Sequence, residues 1–207
     1  MDNTKYTILH DGNGVRIAGY NSTVFTTNKL AEVLATLSTN HEPQGADEII
    51  AHNAEHKWGQ EIFRCGDLFI KGNYTYRHAE RVAPFQGNGQ LISNWEYCTE
   101  HNLPVPQYLG IWSVKQGDDW MWNGIVVNFL TDWRTLNKTD VQLMAEMIDA
   151  FSTAGVFNRD MHSNNVMTNG NGNALVVDLD NLKFDQNPVE AKNSMQEFYN
   201  KSLDWED

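Results

Sequence analysis

The sequence points to an α+β protein with strands in its first two-thirds and helices towards its end. Three observations carry this reading. Short apolar runs fold back on themselves over Asp11–Gly14, over Cys65-Gly66-Asp67 and over Gly117-Asp118-Asp119, the pattern of β-hairpins. Helical apolar spacing follows from Thr139 and ends at Gly155. Beyond it, Gly155 to Phe184 gathers Asp, Asn and Gly around one further short hairpin.

Composition bounds the function. The chain has 207 residues, enough for one sizeable core or two small lobes, and is 41% hydrophobic and 20% charged, as soluble globular proteins are. No apolar run approaches the ~20 residues of a membrane span, and the polar start MDNTKYT does not read as a signal peptide. Cys65 and Cys98 lack metal-type spacing and read as free thiols in a reducing compartment, which implies the cytoplasm. The four glycosylation sequons, at Asn21, Asn73, Asn137 and Asn200, then carry no meaning. A formal charge of −12 argues against nucleic acid and anionic membrane surfaces as partners.

In chain order, the hairpin over residues 5–20 is followed by a helix from Leu30 to Leu37. Residues 1–45 read as an N-terminal addition without an interpretable motif. Asp47 to Lys57 has the look of a short helix closed by Gly59, and it contains His52-Asn53-Ala54-Glu55-His56. That is the H-x-x-E-H pattern in which two histidines can hold Zn²⁺ beside a general base. A zinc hydrolase is therefore one reading, and a surface helix with two incidental histidines is the other.

The second hairpin ends on Leu68-Phe69-Ile70-Lys71. A lysine there is either solvated punctuation or a group placed for a ligand. Leu91 to His101 reads as a helix carrying Glu96, and the Pro-containing segment 102–106 separates it from strands at Tyr108–Trp112 and Trp120–Leu130. Thr139 with Gln142 fits a capping box for the next helix. Pro188 starts a last helix that runs through Tyr199.

Asn158-Arg159-Asp160 to Asn165 matches H-R-D-x-x-x-x-N at every fixed position but the first, and Val177-Asp178-Leu179-Asp180 follows an apolar strand. Here the sequence resembles the protein-kinase-like superfamily, in its small atypical members: aminoglycoside phosphotransferases, lipopolysaccharide kinases and RIO-like kinases. The resemblance covers about residues 60–184 and implies a bilobal fold, with a β-rich N-lobe over residues 46–130 and a minimal helical C-lobe over 131–207.

It also implies roles. Asp160 would be the catalytic carboxylate, with Arg159 on a phosphate or bracing the loop. Asn165 and Asp178 would hold Mg²⁺, and Lys71 would contact the phosphates of ATP. Lys71 would pair with a carboxylate on the following helix, with Glu96 preferred over Glu80 and the neutral Gln90. Backbone groups near Asn128 and Leu130 would meet adenine. The implied activity is transfer of the γ-phosphate to a hydroxyl of a small molecule, sugar or protein. Asn158 in place of histidine and the lack of a glycine-rich phosphate loop also fit a pseudokinase or nucleotide-binding module without turnover. The acidic charge counts against an anionic glycolipid acceptor.

Overall fold

The computed structural model describes residues 5–40, 42–52, 60–74 and 89–203. The chain divides into two compact units, residues 1–93 with 107–129, and residues 94–106 with 130–207. The elements of the first unit are β1 (Tyr6–Gly12), β2 (Val15–Tyr20), α1 (Asn28–Asn40), β3 (Glu48–His52), β4 (Gln60–Cys65), β5 (Leu68–Tyr74), β6 (Tyr108–Gln116) and β7 (Asp119–Asn128). Helix α2 (Gly89–Glu100) contributes its first residues to this unit and the rest to the second.

Seven strands form one antiparallel sheet in the order β1-β2-β6-β7-β5-β4-β3. All three expected hairpins are present. Asn13 and Gly14, both at positive φ (52° and 74°), make the tight turn between β1 and β2, where paired left-handed residues match the twist of the strands. The register of both outer strands slips by one residue, past Leu9 in β1 and past Ile50 in β3.

One face of the sheet is closed by α1. Leu30, Val33, Leu34 and Leu37 recur at helical spacing and pack with Ile17, Phe63, Ile70, Trp112, Trp122 and Val126 in a single buried cluster. Strand alternation then assigns Lys71 to the opposite face, since its neighbour Ile70 belongs to the cluster. Lys71 is only 4% exposed and lies in register between Ile62 of β4 and Ile125 of β7.

The helix expected over residues 47–57 is not formed where the structure describes it. Residues 48–52 are the outer strand β3, because Ile49 and Ala51 align with Phe63 and Ile62 of β4. His52 therefore sits at the end of a strand rather than on a helical turn. His56 and Glu80 lie outside the described residues.

The second unit contains β8 (Arg134–Thr135), α3 (Val141–Thr153), β9 (Phe157–Asn158), a 3₁₀ turn at Ser163–Asn165, β10 (Val166–Thr168), β11 (Ala174–Val176), β12 (Leu182–Lys183) and α4 (Pro188–Ser202). Helices α3 and α4 pack together, burying Met144, Met147, Ile148 and Phe151 of one with Ala191, Met195 and Tyr199 of the other. Gly155 (φ 70°) closes α3 with two bonds, its own N–H to Ser152 O (2.9 Å) and Val156 N to Phe151 O (2.9 Å), a Schellman ending.

The capping box at Thr139 is replaced by another arrangement. The N-cap is Asp140, whose carboxylate turns backwards to Arg134 (2.7 Å) and to the Asn137 N–H (2.8 Å). An ion pair and a turn compete for the oxygen that would otherwise cap the helix, and Gln142 bonds Glu146 instead (3.1 Å).

At the centre of the large sheet, Trp112 lies over paired glycines on β5 and β7. A Cβ on Gly124 would come within 2.1 Å of the Lys71 carbonyl and 2.7 Å of Trp112 Nε1. Since neither can retreat within the sheet, Gly124→Ala is expected to lower stability by about 1–3 kcal/mol, the usual range for overpacking. Thermal unfolding of the two proteins checks this, and an unchanged midpoint would contradict the packing described.

Candidate functional site

Asp160, Asn165 and Asp178 all belong to the second unit, and one hydrogen-bond network joins them. It begins at Asn158 on β9, which is fully buried. Its Oδ1 accepts from the Asp160 N–H (2.9 Å), and its Nδ2 donates to the Asp178 carbonyl (3.1 Å). One amide thus ties the candidate catalytic loop to the candidate metal segment. The departure from H-R-D at position 158 leaves a side chain that still braces both.

Asn165 closes the loop from its other end. Its Nδ2 donates to the Asp160 carbonyl (3.0 Å) and to His162 Nε2 (3.1 Å), while its backbone carbonyl accepts from Val177 (2.9 Å). Both amide hydrogens are engaged, so Oδ1 is the atom with which Asn165 can meet a cation. Because His162 Nε2 accepts, the neutral ring carries its proton on Nδ1. His162 thereby orients Asn165, and its ring lies near Phe198 (centroids 6.3 Å apart).

Asp178 lies two residues past the end of β11. Its Oδ1 accepts from the Asp180 N–H (3.1 Å), an Asx turn that fixes one carboxylate oxygen. Asp160 is part-exposed, and its Oδ2 accepts from Asn181 Nδ2. Arg159 is exposed and reaches the same segment through its backbone N–H, which donates to the Asn181 carbonyl (3.1 Å). Asn181 gave no signal in the sequence beyond lying three residues past Asp178.

Asn94 is a second residue that sequence reasoning missed. It is fully buried on α2, and its Nδ2 donates to the Leu179 carbonyl, with the Asp180 carbonyl 3.5 Å away. Nearby, Tyr97 packs against Phe184 (centroids 4.3 Å apart) and stacks on His101 (3.8 Å). Glu96 is half-buried and lies about 200° around the helix from Asn94.

The remaining candidates are described within their own units. Lys71 is on β5 of the first unit, as above. At the end of β7, the Asn128 N–H donates to the Gln107 carbonyl (3.0 Å) and the Phe129 N–H to the Asp67 carbonyl (2.8 Å). Those two backbone donors are already engaged; Leu130, the next residue, belongs to the second unit.

The donor set suits a hard cation: one carboxylate and one amide oxygen, with no thiolate or imidazole in the set. Among the described residues no cluster of three or more His, Cys, Asp or Glu side chains forms a metal cage, so a bound cation would need further oxygens from a ligand. Neither cysteine adds a nucleophile. Burial pushes the Cys98 thiol up to about 12 and raises that of Cys65 as well, and both are free.

Comparison with solved structures bears on the fold. A structure of the kinase WaaP in complex with acyl carrier protein superposes with a TM-score of 0.51, over 74% of this chain and 69% of that one. The fold is kinase-like. At 14% identity the likeness is one of fold. Two glucosamine kinase structures are more distant. One, with glucosamine, ADP and inorganic phosphate, has a TM-score of 0.39 at 12% identity over 95% of this chain and 81% of that one. The other has a TM-score of 0.33 at 13% identity over 84% and 64%. No protein-family description matches the sequence, and no curated protein matches it.

Asn158→Ala removes both halves of the bridge and leaves the Asp178 carbonyl and the Asp160 N–H without it. The expected cost is about 1–3 kcal/mol in all, since both bonds are part-buried. Urea unfolding checks it, and a loss below about 0.5 kcal/mol would mean that the loop is held by other means.

Proposed function

We propose that the chain is an ATP- and Mg²⁺-dependent phosphotransferase that moves the γ-phosphate to a hydroxyl group. The observation that carries this reading is the network through Asn158, which holds Asp160, Asn165 and Asp178 together within a kinase-like fold. The nucleotide-binding lobe would comprise residues 46–130, and residues 1–45 would be an addition to it.

Each residue has a task. Asp160 accepts a hydrogen bond from the acceptor hydroxyl, aligns it with the γ-phosphorus and takes its proton as the new P–O bond forms. The bond from phosphorus to the β,γ-bridging oxygen breaks, and ADP leaves with the electron pair. Asn165 and Asp178 would hold Mg²⁺, which offsets negative charge on the phosphate oxygens. Lys71 would meet the phosphates, with Glu96 as its proposed carboxylate partner, and the chain near Asn128 and Leu130 would receive adenine. Arg159, exposed beside Asp160, would meet a phosphate oxygen or brace the loop.

The acceptor would be a hydroxyl-bearing small molecule, sugar or protein. The charge of −12 makes polyanionic acceptors unfavourable, since like charge slows approach. Among the described residues no helix is long and apolar enough to cross a membrane.

Two aspartate variants test the roles. Asp178→Asn should abolish the Mg²⁺-dependent rise in melting temperature with ATP, because an amide does not supply the charge that the ion requires. Asp160→Asn should keep that rise and lose turnover, measured as release of γ-labelled phosphate or its transfer to candidate acceptors. Equal loss of binding in both variants would overturn the assignment. Binding without turnover in the unaltered protein would favour a nucleotide-binding module.

The partner of Lys71 is tested separately. Glu96→Gln should weaken nucleotide affinity about as much as Lys71→Met, with little further loss in the double variant. Strictly additive losses would exclude the pair.

A further inference from the structure

We infer that Asn94 is a positioning residue for the cation site, acting on Asp178 through the backbone of Leu179 and Asp180. The inference deepens the phosphotransferase reading and rests on it.

Asn94 belongs to the part of α2 that lies in the second unit, and its side chain is completely shielded from water. A fully buried amide on a helix of mostly ordinary polarity is costly unless its hydrogens are used. Nδ2 donates to the Leu179 carbonyl and lies 3.5 Å from the Asp180 carbonyl. Leu179 is itself fully buried, so its carbonyl has no water with which to replace this donor.

The connection to Asp178 is one turn long. The N–H of Asp180 closes on Asp178 Oδ1 (3.1 Å), so the orientation of that carboxylate follows the position of residue 180. Asn158 holds the Asp178 carbonyl from the other side (3.1 Å). The segment carrying the metal ligand is therefore clamped by two buried amides, one on β9 and one on α2. Removing the α2 clamp releases the half of the turn that orients the carboxylate. It leaves Asp178, Asn165 and the nucleotide contacts chemically intact.

The test uses the full chain, Mn²⁺ and a non-hydrolysable ATP analogue, with bound Mn²⁺ read by electron paramagnetic resonance and metal-free analogue binding read by calorimetry. Asn94→Leu keeps the volume and removes the donor. It is expected to weaken the Mn²⁺-dependent affinity about tenfold or more, as the loss of a buried hydrogen bond predicts, with the metal-free affinity within about twofold of the parent. Asn94→Asp, which sets an oxygen against two carbonyls and needs no repacking, serves if the leucine variant does not fold, and should lose at least as much. Asn94→Gln keeps the donor and should recover part of the loss. Unchanged Mn²⁺-dependent affinity in Asn94→Leu overturns the inference, as does an equal fall in both affinities, which marks a purely structural role. Asp178→Asn is measured alongside. If it too leaves the metal dependence untouched, the phosphotransferase site itself is misassigned and this inference falls with it. If Asp178→Asn abolishes the dependence and Asn94→Leu does not, only the inference falls.

Discussion

The candidate site depends on how four consecutive carbonyls are satisfied. From Asp178 to Asn181 the chain has left β11 and not yet entered β12, so no ladder answers its backbone groups. Asn158 meets the carbonyl of Asp178, Asn94 those of Leu179 and, at longer range, Asp180, and the Arg159 N–H that of Asn181. Leaving a buried carbonyl unanswered costs about 1–3 kcal/mol, comparable with a large part of a small domain's net stability. An irregular segment can thus be as rigid as a strand where side-chain amides replace the missing neighbour. Rigidity is what a phosphoryl-transfer site needs from its protein, since the chemistry asks mainly for groups held in place.

The large sheet shows the same economy with apolar groups. Alternation along β5 sends Ile70 into the cluster beneath α1 and Lys71 to the other face. The helix that buries one face therefore fixes, residue by residue, which side chains the opposite face presents. Trp112 adds a second constraint, because its indole occupies the space that side chains at Gly72 and Gly124 would fill. That site joins β5, β6 and β7 at the level of Lys71.

Much of this was legible in the sequence, for identifiable reasons. The hairpin turns were legible because Asn13-Gly14, Gly66 and Gly117 occupy positive φ, which few other residues tolerate. Helix α1 announced itself by Leu30, Leu34 and Leu37, and the end of α3 by Gly155. Asp160, Asn165 and Asp178 stood at recognisable spacing, and the structure joins them. The rest failed on non-local grounds. Residues 48–52 look helical until β4 is available as a partner for Ile49 and Ala51. Thr139 looks like a cap until Arg134 draws Asp140 backwards. The two-residue strands β8, β9 and β12 are too short to leave any periodic trace. Asn94, Asn158 and Asn181 were opaque as bracing groups because their partners lie 85, 20 and 21 residues away. An asparagine has no sequence pattern that says which carbonyl it will meet.

The one-residue slips in β1 and β3 bear on how the protein behaves among its own copies. Among the described residues these strands form the two margins of the seven-stranded sheet, where outward N–H and C=O groups can recruit another chain. Ile8, Ile49 and Ile50 sit there half in water, which would make a flat margin adhesive. The extra residue at Leu9 and at Ile50 breaks the even spacing of those groups and twists each margin out of line. An incoming strand would find donors and acceptors out of step after two or three residues. A bulge of this kind opposes lateral growth, so an apolar-edged sheet that carries one at each margin is a poorer template for a fibre than a flat one.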